Sequence, residues 1–375
     1  MEQAKVLVTG GAGFIGSHLV DALVERGHRV RVLDALVSQV HGENAAPAYL
    51  NSAAEFIQAD VCDRNAVNGA LEDIDVVFHE AAEVGVGQSM YEIERYVRAN
   101  DLGTAVLLEA ILGRRPQIKK LVVASSMSIY GEGAYTCESC GSVAPQLRPV
   151  EQLLSRDWEI KCPKCGKELS PALTSEEKPL FPTSVYAVTK QDQEQFCLAV
   201  GRSYGIPAVA LRYFNVYGTR QALSNPYTGV LANFASRYLN GRAPIIFEDG
   251  EQKRDFVHVR DLAQACVLAL ENPAVADIAL NIGSGNAYSI LEVAQRLARV
   301  LDCTHLEPEI SGRYRAGDIR NCFADISRAR RLLGYQPGIE LEAGLAELSE
   351  WLAHAESTDH GDRMVDELQA RGLVA

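Results

Sequence analysis

Short apolar runs alternate with segments of helical spacing through the first half of the chain. Lys5–Thr9 (KVLVT), Arg29–Asp34 (RVRVLD), Glu55–Ala59, Asp75–His79 (DVVFH), Lys120–Ser125 (KLVVAS) and Pro207–Arg212 (PAVALR) have the length and composition of buried strands. Helical segments lie between them. Ile15–Arg26 carries apolar residues three and four apart and stops before Gly27, a residue suited to a helix C-cap. Strands this apolar, interleaved with helices, predict an α/β fold with a parallel sheet covered on both faces.

The second half is less regular. Residues 215–254 are rich in Asn, Gly, Pro and Tyr, with one helix expected near Gly229–Asn240. Further helices are expected at Arg260–Glu271, Ser289–Leu301, Ser327–Leu333 and Leu341–His354. This pattern divides the chain into a nucleotide-binding part, 1–213, and a smaller α/β substrate lobe, 214–375, with some segments returning to the main sheet. The polar stretch after His354 is expected to be a loosely held tail.

The chain has 375 residues, 47% apolar and 23% charged, the balance of a soluble globular protein. No apolar run is long enough to span a membrane. The first strand starts almost at Met1 and leaves no room for a signal peptide, so a cytoplasmic location is expected. The net charge of −13 argues against a nucleic-acid partner. An anionic substrate would need local cations set against that overall sign.

Gly10-Gly11-Ala12-Gly13-Phe14-Ile15-Gly16 joins the first strand to the first helix. Glycines there permit a tight turn, close approach of backbone to a pyrophosphate, and close helix–strand packing. Asp34 ends the second strand, where an acid bonds ribose hydroxyls and disfavours the 2′-phosphate of NADP. These features predict a Rossmann-type doubly wound sheet that binds NAD. Asp60 and Val61 after the third strand, and Ala81 and Ala82 after the fourth, are expected to line the rest of the cofactor.

Tyr186 and Lys190 are four residues apart, on one face of a helix. A phenol with a pKa of about 10 is a poor base at neutral pH, and a nearby cation favours the phenolate. Tyr186 could then take a proton from a substrate hydroxyl. Ser126, in SSMSIYG after the strand KLVVAS, could bond the same oxygen.

Together GGAGFIG, Asp34, SSMSIYG, Tyr186, Lys190, RYFNVYG at Arg212–Gly218 and RDFVHVRD at Arg254–Asp261 resemble the extended short-chain dehydrogenase/reductase family. The resemblance runs to about Tyr335, and within the family is strongest to nucleotide-sugar 4-epimerases such as UDP-glucose 4-epimerase. It implies Ser126, Tyr186 and Lys190 as the catalytic trio, with Tyr186 and Lys190 also against the cofactor. It implies that Ser126 and Ser128 contact the substrate and that Asn215 contacts its sugar or its diphosphate. Arg254, Arg315 and Asp318 are implied to hold the diphosphate and nucleoside. A diphosphate suits permanently charged, bidentate arginines. The family's pairing of helices also implies a homodimer, through the segments around 90–113 and 184–204.

The serine segment sorts the reactions of this family. The 4,6-dehydratases carry Asp-Glu after the catalytic residue, where this chain has Met127-Ser128. The 3,5-epimerase/4-reductases carry a cysteine where Ser128 stands, and the decarboxylases an acid where Ile129 stands. What remains is epimerisation at C4 through a transient 4-keto sugar. A 4-ketoreductase or dehydrogenase would use the same residues. A non-catalytic NAD-binding scaffold is disfavoured by the intact trio.

About thirty residues more than the family norm lie between Gly131 and Tyr186. They contain Cys137-Glu138-Ser139-Cys140-Gly141 and Cys162-Pro163-Lys164-Cys165-Gly166. Two CxxC-Gly knuckles suit a structural Zn²⁺ held by four thiolates, a zinc ribbon over 134–170; reduced or redox-active pairs are the alternative. Four cysteines leave no open position for catalysis. The insert starts after the catalytic serine and ends before the catalytic tyrosine, so it is expected near the mouth of the sugar pocket. The insert and the run SNPYTGVLANFASRYLNG are similar to bacterial enzymes assigned as dTDP-L-rhamnose 4-epimerases, which make dTDP-6-deoxy-L-talose. Cys322, four after Asp318, falls where relatives gate bulky C2 groups. A small residue there keeps UDP-hexose and UDP-N-acetylhexosamine epimerases open; simple packing in the core is the other reading of Cys322.

Overall fold

The computed structural model describes residues 3–42, 46–115, 117–225, 227, 229–315, 317–354 and 359–374. Seven parallel strands form the main sheet. They are β1 (Lys5–Thr9), β2 (Arg29–Asp34), β3 (Glu55–Gln58), β4 (Val76–His79), β5 (Lys120–Ser126), β9 (Ala208–Tyr213) and β14 (Ile278–Ile282). Their order is β14-β9-β5-β4-β1-β2-β3. The order reverses at β1, so the carboxyl ends of β1 and β4 open a crevice, the usual ligand position in a doubly wound sheet. Every residue of β5 is buried, as expected of a central strand covered on both faces.

Helices cover both faces. Helix Phe14–Glu25 follows β1 and buries Leu19, Val20 and Leu23. Helix Val185–Tyr204 runs against β5 and β9 and buries Cys197 and Leu198. The two faces have separate apolar clusters, one including Val6, Val8 and Leu19, the other Leu7, Leu107 and Val123. Alternate residues of β1 therefore point to opposite faces.

A third cluster, with Phe234, Leu297 and Leu345, holds the second lobe together. Its short strands pair as β10 (Asn215–Tyr217) with β13 (Phe256–His258), and β11 (Ile245–Ile246) with β16 (Glu309–Ile310). β12 (Lys253–Arg254) pairs with β15 (Tyr288–Ser289) and β17 (Asn321–Cys322). β14 returns from this region to the edge of the main sheet. Helices Val230–Leu239, Val259–Glu271, Ile290–Val300, Ser327–Leu333 and Leu341–Leu352 lie where the sequence places them, within two residues at each end.

Between β5 and helix Val185–Tyr204 the chain builds a small antiparallel sheet of β6 (Ala134–Cys137), β7 (Gly141–Val143) and β8 (Ser170–Ala172), in the order β7-β6-β8. It has its own core of Tyr135, Val143, Ile160 and Leu169 with Cys137 and Cys162.

The expected loose tail is corrected. Residues 355–358 lie outside the described set, but Gly361–Ala370 is a helix with Val365 and Leu368 buried. Val374 bridges back to Arg315. Apolar packing and polar contacts hold this helix. Leu368 is 2% exposed. Arg237 donates to Asp362 at 2.7 Å, and the Glu367 carboxylate accepts from the Tyr227 hydroxyl at 2.8 Å.

Candidate active site

β1 ends at Thr9 and the chain turns through Gly10, whose φ is +70°. A Cβ on Gly10 would lie 2.7 Å from the Ala81 backbone nitrogen. Only glycine lets the turn pass so close to the segment after β4. A Cβ on Gly16 would lie 2.2 Å from the Gly10 carbonyl oxygen, so this glycine sets the helix against the turn. The helix begins at Gly13, which supplies no side-chain cap. Its first-turn N–H groups and positive dipole end are therefore left for a ligand.

These residues open onto one cavity of about 660 Å³. Gly10, Gly13, Phe14, Ile15 and Gly16 line it, with Asp34, Asp60, Val61, Ala81 and Ala82 beside them. Asp34 is held by two backbone donors, Ala12 N–H at 3.0 Å and Leu36 N–H at 2.9 Å. Asp60 accepts from Cys62 N–H at 2.8 Å. A glycine turn, an uncapped helix start and a fixed acid at the end of β2 fit a dinucleotide with free ribose hydroxyls.

Ser126, Ser128, Tyr186 and Lys190 line the same cavity. Ser126 ends β5, and its Oγ accepts from the Ser128 N–H at 3.1 Å and hydroxyl at 3.0 Å. Ser184 caps the following helix by accepting from Ala187 N–H at 3.1 Å, which sets Tyr186 in the first turn and Lys190 one turn on. Burial pushes the Tyr186 phenol above its ordinary range, and a hydrogen bond with Ser126 pulls it back. Burial brings the Lys190 ammonium down to about 8, with the Glu80 carboxylate acting against that shift. Lys190 Nζ donates to Gln193 Oε1 at 2.7 Å, and Gln193 Nε2 lies 3.0 Å from Thr104 Oγ1 and 3.1 Å from His79 Nε2. Lys190 is thus oriented from below by a buried polar network.

Asn215, Arg254, Arg315 and Asp318 complete the lining. The Asn215 Oδ1 is buried with no hydrogen-bond partner among the described residues, an acceptor left for a ligand. Arg315 donates to Asp318 at 3.0 and 2.7 Å. Arg254 donates to the carbonyls of Lys253, Arg320 and Ile319 and reaches Asp318 at 3.5 Å. Burial acts to raise the Asp318 carboxyl, and Arg315 and Arg254 together hold it below its ordinary value. Cys322 follows the packing reading: it does not line the cavity but packs in the core, with Sγ 3.9 Å from Thr174 Oγ1. Its small side chain therefore gates nothing directly.

The four sulfurs of Cys137, Cys140, Cys162 and Cys165 lie within 4.8 Å of one another. Cys137 and Cys165 are 3.6 Å apart, far beyond the roughly 2.05 Å of a disulfide. Four thiolates about 2.3 Å from one ion would stand about 3.8 Å apart, so the cluster fits tetrahedral Zn²⁺. Gly141 and Gly166 follow the knuckles at φ +75° and +73°. Backbone N–H groups of Lys164 and Cys165 bond the Cys162 sulfur.

Three lining groups escape the sequence reading. Glu80, directly after β4, accepts from the Tyr213 hydroxyl at 2.8 Å, and burial raises it to about 7. Arg237 lies three residues after Phe234 on the buried side of its helix, a charge on an apolar face that is itself a signal. Met364, Val365 and Leu368 bring the C-terminal helix to the cavity wall. Their three- and four-residue spacing was present in the sequence.

The fold and this cavity define a nucleotide-dependent α/β enzyme. The profile of the NAD dependent epimerase/dehydratase family matches residues 6–151 and 164–283. The chain belongs to that family and is an enzyme of the NAD-dependent epimerase type. The break in the match falls inside the cysteine insert. The chain is 37% identical over 351 residues to the dTDP-L-rhamnose 4-epimerase of Burkholderia thailandensis, covering 93% of this chain and 95% of that one. It is similar in structure to the Thermotoga maritima UDP-glucose 4-epimerase with UDP-glucose, with TM-score 0.74, 31% identity, and coverage of 93% and 98%. It is also similar to the Bacillus cereus UDP-glucuronic acid 4-epimerase in complex with UDP-glucuronic acid and NAD, with TM-score 0.75, 30% identity, and coverage of 93% and 99%.

Proposed function

We propose that this chain is a nucleotide-sugar 4-epimerase that inverts C4 through a transient 4-keto sugar. One observation carries the reading: Ser126, Tyr186 and Lys190 share a single cavity with the glycine turn and with Arg254, Arg315 and Asp318. NAD, when bound, supplies a hydride acceptor that can return the hydride.

The protein's own residues handle the proton and the substrate. Tyr186 takes the proton of the C4 hydroxyl and later gives it back, while Ser126 holds the same oxygen. Lys190 adds positive charge that favours the phenolate. Arg254, Arg315 and Asp318 grip the nucleoside diphosphate, and Asn215 offers its free acceptor to the substrate. Gripping the nucleotide rather than the sugar lets the keto sugar turn over while still bound.

The favoured substrate is dTDP-L-rhamnose, giving dTDP-6-deoxy-L-talose. The supports are the Burkholderia relative and the likeness of the insert and of residues 224–241 to such enzymes. UDP-hexoses and UDP-N-acetylhexosamines are the second reading, favoured by the structural likeness to UDP-sugar epimerases. We assign a structural Zn²⁺ to Cys137, Cys140, Cys162 and Cys165. A homodimer is proposed through the exposed Ile93, Val97, Val188 and Phe196, which lie on neighbouring helices. Among the described residues no helix is long and apolar enough to cross a membrane.

Incubation with a panel of dTDP- and UDP-sugars, without added reductant and followed by NMR, tests the reading. A C4 epimer is expected from one of them. Conversion of a 4-keto sugar only when NADH is added would replace it with a ketoreductase.

A further inference from the structure

The insert and the diphosphate end of the cavity are joined by a ladder of buried charges. Arg148, in the insert between β7 and the short helix Val150–Leu154, donates to both oxygens of Glu248, at 2.9 and 2.7 Å. Arg320 donates to the same Glu248 at 3.1 Å. Each of these three side chains is exposed by 2% or less. Arg320 also pairs with Asp249 at 2.6 Å and, through Nε, with Glu159 of the insert at 3.1 Å. The backbone N–H of Arg320 donates to Glu132 at 2.6 Å, at the root of the insert.

Both ends of this ladder lead somewhere. On the insert side, Glu159 precedes Ile160, a core residue whose carbonyl accepts from Leu169 N–H at 2.9 Å, and Cys162 follows two residues later. Arg148 also donates to the Trp158 carbonyl at 3.0 Å, so its guanidinium ties down the segment that enters the cysteine cluster. On the cavity side, Arg148 Nη2 reaches the Asp318 carbonyl at 3.4 Å. Glu248 N–H donates to the Arg313 carbonyl at 2.7 Å. The Arg320 carbonyl accepts from Arg254 at 3.0 Å. Arg313 on one side of Arg315, and Asp318 and Arg320 on the other, are thus tied to this ladder.

We propose that Arg148 and Glu159 of the cysteine insert, acting through Glu248 and Arg320, are positioning residues for the diphosphate grip. The inference rests on the nucleotide-sugar reading of that site. Neither Arg148 nor Glu159 lines the cavity, and neither is placed to touch the sugar. The buried Arg148–Glu248–Arg320 pairs have one preferred geometry, so they transmit the insert's position to Asp318 and Arg315 rather than absorb it, with the part-exposed Glu159 as a second hold of the insert on Arg320. A small misplacement of a phosphate-binding arginine is enough to weaken ligand binding many-fold. The insert therefore serves affinity for the nucleotide half of the substrate, in addition to any role at the sugar.

The test is calorimetric titration of UDP and of dTDP into the purified holoenzyme, wild type and Arg148→Met, with bound NAD and metal measured on the same samples. Binding to the wild type comes first, since no binding of either nucleotide would overturn the reading of the site itself. Given that binding, Arg148→Met is expected to weaken it about tenfold and to raise KM similarly. NAD content, metal content and kcat should stay within about twofold of wild type. Arg148→Lys keeps the charge and is expected to recover part of the affinity. It also stands in if the Met variant does not fold, with a smaller loss in the same direction. Unchanged nucleotide affinity in the folded variants, or a fall in kcat at constant KM, would overturn the proposal.

Discussion

Tyr213 donates its phenolic hydrogen bond to Glu80 at 2.8 Å, in the wall of the cavity that Lys190 also lines. Burial lifts the Glu80 carboxyl from 4.5 to about 7, despite that bond and the nearby Lys190. Between those two values the native state keeps a proton that the unfolded chain has lost. The stability this group confers is therefore lost as pH rises from about 4.5 to about 7. Glu80→Gln removes the dependence. Its stability relative to wild type should grow as pH rises through this window and shrink again toward the acid end. Denaturant unfolding of cofactor-free protein at both ends of the window measures it. A constant difference between the two proteins would contradict the assignment.

Tyr186→Phe keeps the ring and removes the proton carrier. Turnover should fall by about 10³-fold or more, the range of general acid–base effects at the upper end, while the protein still purifies with NAD. Steady-state rates and the cofactor released on denaturation check both halves. A variant with turnover near wild type would move the proton role elsewhere.

The cysteine cluster should hold close to one zinc per chain. Cys162→Ser is expected to lose the metal, because it removes one of four thiolates. Residues 134–170 should then become the first site of limited proteolysis, with the seven-stranded sheet intact. Metal analysis and mass spectrometry of the fragments read this out. A wild-type protein that is metal-free and fully active would remove the structural zinc.

Leu368 packs from the C-terminal helix onto the cavity wall and is 2% exposed. Leu368→Ala should cost about 2–5 kcal/mol in the free energy that holds this helix in place. Because the helix docks as a unit, the loss should show as faster amide exchange over 361–370 and a raised KM, with little change at β1 or β5. Uniform destabilisation of the whole chain would contradict a separately docked helix.

The sheet was legible because buried parallel strands are short, apolar and separated by helices of clear period. β1 and β2 fall where the hydrophobic pattern puts them, to the residue. The glycine turn, Asp34, Ser126, Tyr186 and Lys190 were legible because each is tied to a strand end or a helix face. The ladder of Arg148, Glu248 and Arg320 was not. Its partners are 72 to 161 residues apart, and no local spacing announces such a pair. The C-terminal helix was passed over because charged residues surround its apolar stripe, and its stability comes from docking rather than from its own composition. The position of Cys322 along the chain left gating and packing both open; only the fold decides, because β17 turns its side chain into the core.

The central claim is that one hydride leaves C4 and returns to it within a single closed site around Tyr186 and Lys190. The most direct measurement starts from the sugar nucleotide that the enzyme converts, labelled with deuterium at C4, in ordinary water with unlabelled NADH present outside the protein. The label should be retained in full at C4 of the epimer, as read by NMR. Loss of the deuterium to solvent or to the external NADH pool would contradict it.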